Sequence, residues 1–277
     1  MRTINLLYEI AVAFALACLP SRARAGDELS ARPAYEEKSA FSVAIGRTHQ
    51  QDTYLSPLDY SGPQVTLMHE AMRMTHWAQR RVSFQSLLQG TFSYTENHPA
   101  TANYWGGRIA YDAGWHRHWQ PLPCLRIMAG GQVGTDFGIL YNNRNGNNPA
   151  QGRLSFDVAA SVGGFYSFRL RRQPFVVRYQ ADFPLLGCMF SPQFGQSYYE
   201  LSKDNRDHNV CFAWPGCAPS VRQLLTLDIP FRRYSLRVGY LSDVRQSHVN
   251  HIKVHDIGRS FMLGFVRHLT IQSKGKQ

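Results

Sequence analysis

Polarity alternates along residues 153–170 for longer than anywhere else in the chain. One every-second set is Leu154, Phe156, Val158, Ala160, Val162, Gly164, Tyr166, Phe168 and Leu170. The other is Arg153, Ser155, Asp157, Ala159, Ser161, Gly163, Phe165, Ser167 and Arg169. A period of two places successive side chains on opposite faces of a strand. A tilted strand crosses a bilayer in about 9–11 residues, with one face apolar for lipid and the other free to be polar toward a lumen. The segment therefore predicts a membrane-spanning strand with length to spare.

The same rhythm recurs at intervals. Phe41, Val43 and Ile45 open it, and Phe84, Leu88, Phe92 and Tyr94 follow, with Leu87 interrupting the polar set. Trp105, Ile109, Tyr111, Ala113, Trp115 and Trp119 place aromatics at both ends of one strand, as the two interfacial girdles of a membrane barrel require. Further strands are expected from Ile127 to Ile139, Phe175 to Leu185, Leu225 to Phe231, Leu236 to Tyr240 and Phe261 to Phe265. Residues 64–77 fit a helical stripe through Leu67, Met68, Ala71, Met72 and Thr75 as well as a strand. The even strand count of single-chain bacterial barrels favours the strand. The prediction is an all-β, antiparallel transmembrane β-barrel of about ten strands, with eight to twelve as the alternatives.

The connections alternate in length as well. Residues 50–63, 96–103, 141–152, 190–219 and 243–258 read as long, whereas 78–81, 120–123, 171–174 and 232–233 read as short. Long loops on one side and tight turns on the other is the outer-membrane pattern, with the short turns in the periplasm. Residues 1–25 combine Arg2, an apolar run from Ile10 to Leu19 and an Ala23-Arg24-Ala25 site, which reads as a secretory signal peptide. Residues 26–38 form a polar periplasmic lead, and 39–277 the barrel domain, ending in a polar tail rather than a terminal aromatic.

The formal charge of +11 becomes +9 without Arg2, Glu9, Arg22 and Arg24. It is scattered in doublets at Arg80-Arg81, Arg171-Arg172 and Arg232-Arg233, which suits turns beside lipid phosphates better than nucleic acid. The expected partners are outer-membrane lipid and the barrel-assembly machinery. Cys124, Cys188, Cys211 and Cys217 remain after the signal. Cys211 and Cys217, close together in one long loop, are the first disulfide to consider, with Cys188 an alternative partner for either.

Three loop segments, Tyr54-Leu55-Ser56-Pro57-Leu58-Asp59-Tyr60-Ser61-Gly62, Asn143-Arg144-Asn145-Gly146-Asn147-Asn148-Pro149-Ala150-Gln151 and Phe190-Ser191-Pro192-Gln193-Phe194-Gly195-Gln196-Ser197-Tyr198-Tyr199, carry a family likeness. With them the chain resembles the small outer-membrane β-barrel proteins of unknown function from Bacteroidetes-type bacteria. The resemblance implies location and architecture, and it brings no catalytic residues.

Alternation predicts an inward set of Arg108, Asp112, Arg126, Asp136, Arg153, Asp157, Arg169, Arg178, Asp182, Asp228 and Arg237. In a narrow lumen opposed Arg and Asp side chains satisfy one another, so a salt-bridged plug is expected ahead of a charge-lined pore. His116 and His118 share a strand face, but two ligands make no structural metal site, and no metal or other cofactor is expected. An outer-rim hydrolase would draw on Asp136, Asp243, Ser247, His248 and His251, yet no triad or elbow motif joins them. Tyr198, Tyr199, Phe212 and Trp214 in the longest loop are candidate recognition residues for a surface ligand, and the loop is equally suited to fold inward as a lid.

Overall fold

The computed structural model describes residues 36–146, 148–171, 173–203, 208–231 and 234–270. The proposed signal peptide, most of the lead, the polar tail, Arg172 and the Arg232-Arg233 doublet lie outside these. Ten long antiparallel strands close into a barrel: β1 (Glu36–Asp52), β2 (Ser56–Met74), β3 (Val82–Asn97), β4 (Asn103–Leu122), β5 (Leu125–Asn142), β6 (Ala150–Leu170), β7 (Gln173–Phe190), β9 (Ser220–Pro230), β10 (Tyr234–Val249) and β11 (Ile252–Thr270). β1 pairs with both β2 and β11, which closes the ring. A short eleventh strand, β8 (Val210–Ala213), pairs only with the end of β7. Both ends of the strand circuit fall on one rim, called here the terminus end; the opposite rim is the loop end.

The alternation in the sequence becomes the two faces of this wall. Phe156, Val158 and Val162 point outward and are 51%, 48% and 44% exposed, while Ala159 and Ser161 between them, and Phe165 beyond, are buried in the lumen. The outward face is apolar through Phe41, Ile45, Leu67, Leu225, Leu263 and Phe265. On β1, β10 and β11 it turns polar toward the loop end, where Arg47 lies beside Arg259 and His49, His248 and Lys253 are exposed. Closing the ring removes the free first and last edges of an open sheet, which is what lets such a surface lie in hydrocarbon.

Residues 64–74 are strand, and Trp77 opens a 3-10 turn, Trp77–Arg80, carried by the left-handed φ of Ala78, Gln79 and Arg80. Two connections expected to be long are tight hairpins. Between β1 and β2 the turn is only residues 53–55, where the Asp52 carboxylate accepts from the Tyr54 backbone N–H at 3.1 Å. The Pro, Ser and Gly that made residues 56–63 look like loop sit in a strand: Gly62 faces inward where a Cβ would stand 2.1 Å from the Tyr94 carbonyl oxygen, and Pro63 faces outward where the β2–β3 ladder lapses. Between β10 and β11 the turn is Asn250-His251, both left-handed, the geometry of a type I′ hairpin without its usual glycine. Loop-length segregation is correspondingly weaker than the sequence suggests, because only residues 191–219 form a long connection.

Candidate functional site

The lumen is filled in layers. At the terminus end Met72, Met128 and Phe165 form an apolar floor. Above it lies a charge layer centred on Glu70, whose carboxylate takes Arg178 Nη1 at 2.5 Å and Arg237 Nη1 at 2.8 Å. Arg237 also grips Asp228 bidentately at 2.7 and 2.9 Å. Gln85 donates to Glu70 at 2.8 Å, and Gln180 donates to Ser161 at 3.1 Å and to Asp182 at 2.9 Å. These residues come from β2, β3, β6, β7, β9 and β10, so the network runs from wall to wall. An apolar layer of Ala44, Met68, Leu87, Leu224, Leu241 and Met262 follows. Leu87, the interruption in the polar set of β3, is a lumen residue that belongs to it.

Nearer the loop end, Arg222 bridges Asp112 at 2.5 Å and Asp182 at 2.9 Å. Asp243 takes Arg108 at 2.5 Å and Arg245 at 3.2 Å, and Arg245 reaches on to Asp136 at 2.6 Å. Arg153 joins Asp52 at 2.7 Å and Asp256 at 3.7 Å. Between these pairs lies a cavity of about 190 Å³. Its ceiling is a cluster of Tyr54, Leu55, Tyr60, Ala102, Tyr104, Leu140 and Ile252, with Tyr60 and Tyr104 stacked at 3.6 Å.

The long loop lies over that ceiling. Its one-turn helix α1 (Tyr198–Ser202) is fixed by a capping box between Ser197 and Glu200. Tyr198 points down, meets Tyr54 edge-on at 6.1 Å and accepts the Gly152 backbone N–H at 2.6 Å. The Tyr54 hydroxyl donates to the Gln196 carbonyl at 2.8 Å, and burial pushes its pKa up to about 12, with the neighbouring Tyr198 adding to the shift.

Of the eleven residues expected in the lumen, nine are tied into its ion pairs or packing: Arg108, Asp112, Asp136, Arg153, Arg178, Asp182, Asp228 and Arg237 in ion pairs, and Arg126 stacked over the Phe165 ring at 4.5 Å. Asp157 faces the cavity outside these pairs. Arg169 does not reach the lumen: it is exposed at the terminus-end turn, past the last inward layer. Sequence reasoning missed Glu70, Arg222, Asp243, Arg245, Asp52 and Asp256 as network members. Five lay in segments read as loop or left ambiguous, Arg222 lay between the 190–219 loop and the strand expected from Leu225, and each keeps the every-second spacing of its inward neighbours.

The recognition set divides. Tyr198 is packed under the lid and Tyr199 is 71% exposed above it. Phe212 shares the outward wall face with Cys188, and Trp214 sits in the turn after β8. Cys124, Cys188, Cys211 and Cys217 are free thiols. Cys211 donates to the His208 carbonyl and Cys217 to those of Phe212 and Trp214. Cys188 lies on the opposite face from Cys211. His116 and His118 are both buried in the lumen rather than at an interface, with His118 bonded to Ser83 at 2.7 Å. Ser247 and His248, adjacent in β10, point to opposite faces. Asp136, Asp243 and Ser247 line one cavity, with the two aspartates sharing Arg245, whereas His251 occupies the hairpin tip and His248 faces outward, away from them.

Residues 10–276 match the model of a family described as a protein of unknown function (DUF3316). No curated protein matches the chain. Among solved structures, the outer membrane protease OmpT from Escherichia coli is similar at 8% identity and a TM-score of 0.49, over 87% of this chain and 100% of that one. The translocator domain of the autotransporter NalP from Neisseria meningitidis is similar at 10% identity, TM-score 0.41, over 88% and 91%. The COG4313 outer membrane channel from Pseudomonas putida F1 is similar at 9% identity, TM-score 0.39, over 88% and 99%.

Proposed function

The chain belongs to the DUF3316 family of proteins of unknown function, and from that premise we propose that it is an outer-membrane β-barrel with a sealed lumen and a loop end that serves as an interaction surface. In this reading the terminus end faces the periplasm, the barrel-assembly machinery inserts the protein, and lipid is its permanent partner. One observation carries it: the Glu70 layer runs from wall to wall above the apolar floor, and its polar continuation toward the loop end, through Gln180 and Asp182 beside the Leu87 and Leu241 cluster, is itself tied off by the Arg222 ion pair. Ions crossing a barrel need a continuous wet path or a relay of weak sites. Glu70, Arg178 and Arg237 instead hold each other in pairs whose breaking strands a buried charge. The exposed aromatics on and beside the lid, Phe194, Tyr199 and Trp214, are the groups available to a partner at the surface.

Planar-bilayer recording on the purified protein tests the reading. No stepwise conductance is expected from the wild-type protein. Regular ohmic steps from it would overturn the sealed lumen in favour of a narrow pore.

A further inference from the structure

The barrel wall has a gap. β7 pairs with β9 from Val176↔Asp228 to Asp182↔Arg222, and with β8 only from Gly187↔Ala213 onward. Along that edge residues 183–186 of β7 have no ladder partner. On the far bank Ser220 and Val221 pair with β10 alone, and Cys217 and Pro219 follow β10 through bonds from His248 N–H (2.8 Å) and Gln246 N–H (3.1 Å). The turn after β8 closes the top, where the Ala218 N–H donates to the Trp214 carbonyl at 2.8 Å. On its other edge β7 carries a bulge at the same height, and Pro184, with no N–H to offer, sits in it.

Unpaired backbone at membrane depth is tolerated where it borders protein or a polar cavity. Here it borders the loop-end cavity, whose lining includes Pro184, Ala213, Ala218, Ser220 and Val221 from both banks. From Gln173 to Pro184 the strand rises about 37 Å at roughly 3.4 Å per residue. A tilt of about 40° reduces this to about 28 Å along the axis, the loop-end edge of an apolar band about 25 Å tall. Around the gap the outward surface stays apolar, with Phe156, Leu185, Leu186, Val210, Phe212 and Trp214 exposed, in contrast to the basic rim on β1 and β11.

Inside, the charges do not balance. Among the described residues six aspartates and four arginines line the cavity. Asp157 makes no hydrogen bond or ion pair among the described residues, and it stands beside Asp112 over Gly134. A Cβ at Gly134 would be 2.8 Å from Asp112 Oδ1 and 3.1 Å from Asp157 Oδ1. A cavity of about 190 Å³ is smaller than the roughly 300–1,000 Å³ of sites that swallow a whole small ligand. It has room for a head group, with the remainder left in the gap.

We infer that the gap between β7 and β9 is a lateral entrance from the outer leaflet, through which an amphiphile with a cationic amine head places that head against Asp157 and Asp112 and leaves its hydrocarbon chain along Leu186 and Phe212. The inference rests on the sealed-lumen reading and names the ligand class of its loop-end cavity.

Binding of a dansyl-labelled long-chain alkylammonium to the full-length protein in neutral-detergent micelles tests it, with the N-acetylated, uncharged analogue as the comparison. Saturable binding of the ammonium probe is expected, at least tenfold tighter than that of the analogue. Asp157→Asn should remove that preference. Ala218→Trp, which fills the gap from one bank and leaves the carboxylates in place, should slow probe entry at least tenfold. Equal affinity for both probes, or an Ala218→Trp variant that loads as fast as wild type, would overturn the inference. Both results leave bilayer conductance untouched, so they are separate from a failure of the sealed-lumen reading.

Discussion

In the terminus-end half of the lumen Glu70 lies between Arg178 and Arg237, Asp228 completes the set, an apolar floor lies below, and above it the Leu87 and Leu241 cluster leaves only paired polar groups, Gln180, Asp182 and Arg222, leading to the loop end. In the loop-end half six aspartates face four arginines around an open space, and one of those acids, Asp157, makes no hydrogen bond or ion pair among the described residues. The residue types are the same. What differs is compensation: paired and desolvated charges make a wall, while surplus charge beside a cavity makes a site. The outer surface divides the same way, with a basic rim over β1 and β11 and an apolar approach to the gap at β7.

Substitutions in the two halves should therefore differ most in stability. Glu70→Ala leaves Arg178 and Arg237 buried without their shared carboxylate and is expected to cost about 3–5 kcal/mol, read from urea unfolding of the barrel in lipid. An unfolding midpoint within error of wild type would mean that the layer is hydrated. On the wall, Val162→Arg in the middle of the apolar band should cost roughly 2–4 kcal/mol, and Tyr141→Arg on the same outward face at the loop-end rim less than about 1 kcal/mol. Equal costs at the two sites would put the band elsewhere.

A smaller effect is expected at the lid. Tyr54→Phe removes the hydrogen bond to Gln196 and should weaken lid closure by about 1 kcal/mol, seen as faster proteolysis of residues 191–203. The Tyr54 pKa is raised in the folded state from 10.0 to about 12. Its contribution is therefore complete below about pH 10 and lost as pH rises through about 12. Wild-type lid protection should fall across that window, and Tyr54→Phe should remove this part of the fall. Smallest of all, Asp157→Asn should change stability by less than about 0.5 kcal/mol, because no hydrogen bond or ion pair is broken and the attraction of Arg245 and Arg222 is opposed by the neighbouring Asp112. A loss of several kcal/mol there would show that Asp157 belongs to the compensated network.

Much of the fold was legible because hydrocarbon on one side of a closed sheet enforces a period of two, as Leu154 to Phe168 display. The lumen network was half legible. Arg178 and Asp228 lay in clear alternation, whereas Glu70 sat in a stretch whose Leu67, Met68, Ala71 and Met72 also fit a helix. The strand ends were misread because turn-forming residues such as Pro57, Gly62 and Pro63 are compatible with a long strand outside the bilayer. The Asn250-His251 hairpin lacks the glycine that advertises such a turn. The wall gap had no signal beyond Pro184 inside an apolar strand, since which edge of β7 goes unpaired is decided by neighbours far away in sequence.

The division of the lumen is tested most directly by thiol accessibility on one strand. In a background without the native cysteines, Ser155→Cys beside the cavity and Ser161→Cys beside Gln180 of the Glu70 layer are exposed to a small water-soluble maleimide with the protein in lipid. The thiol at 155 is expected to react in the folded protein, and the thiol at 161 only after unfolding. Equal reaction at both positions in the folded protein would contradict a sealed terminus-end half.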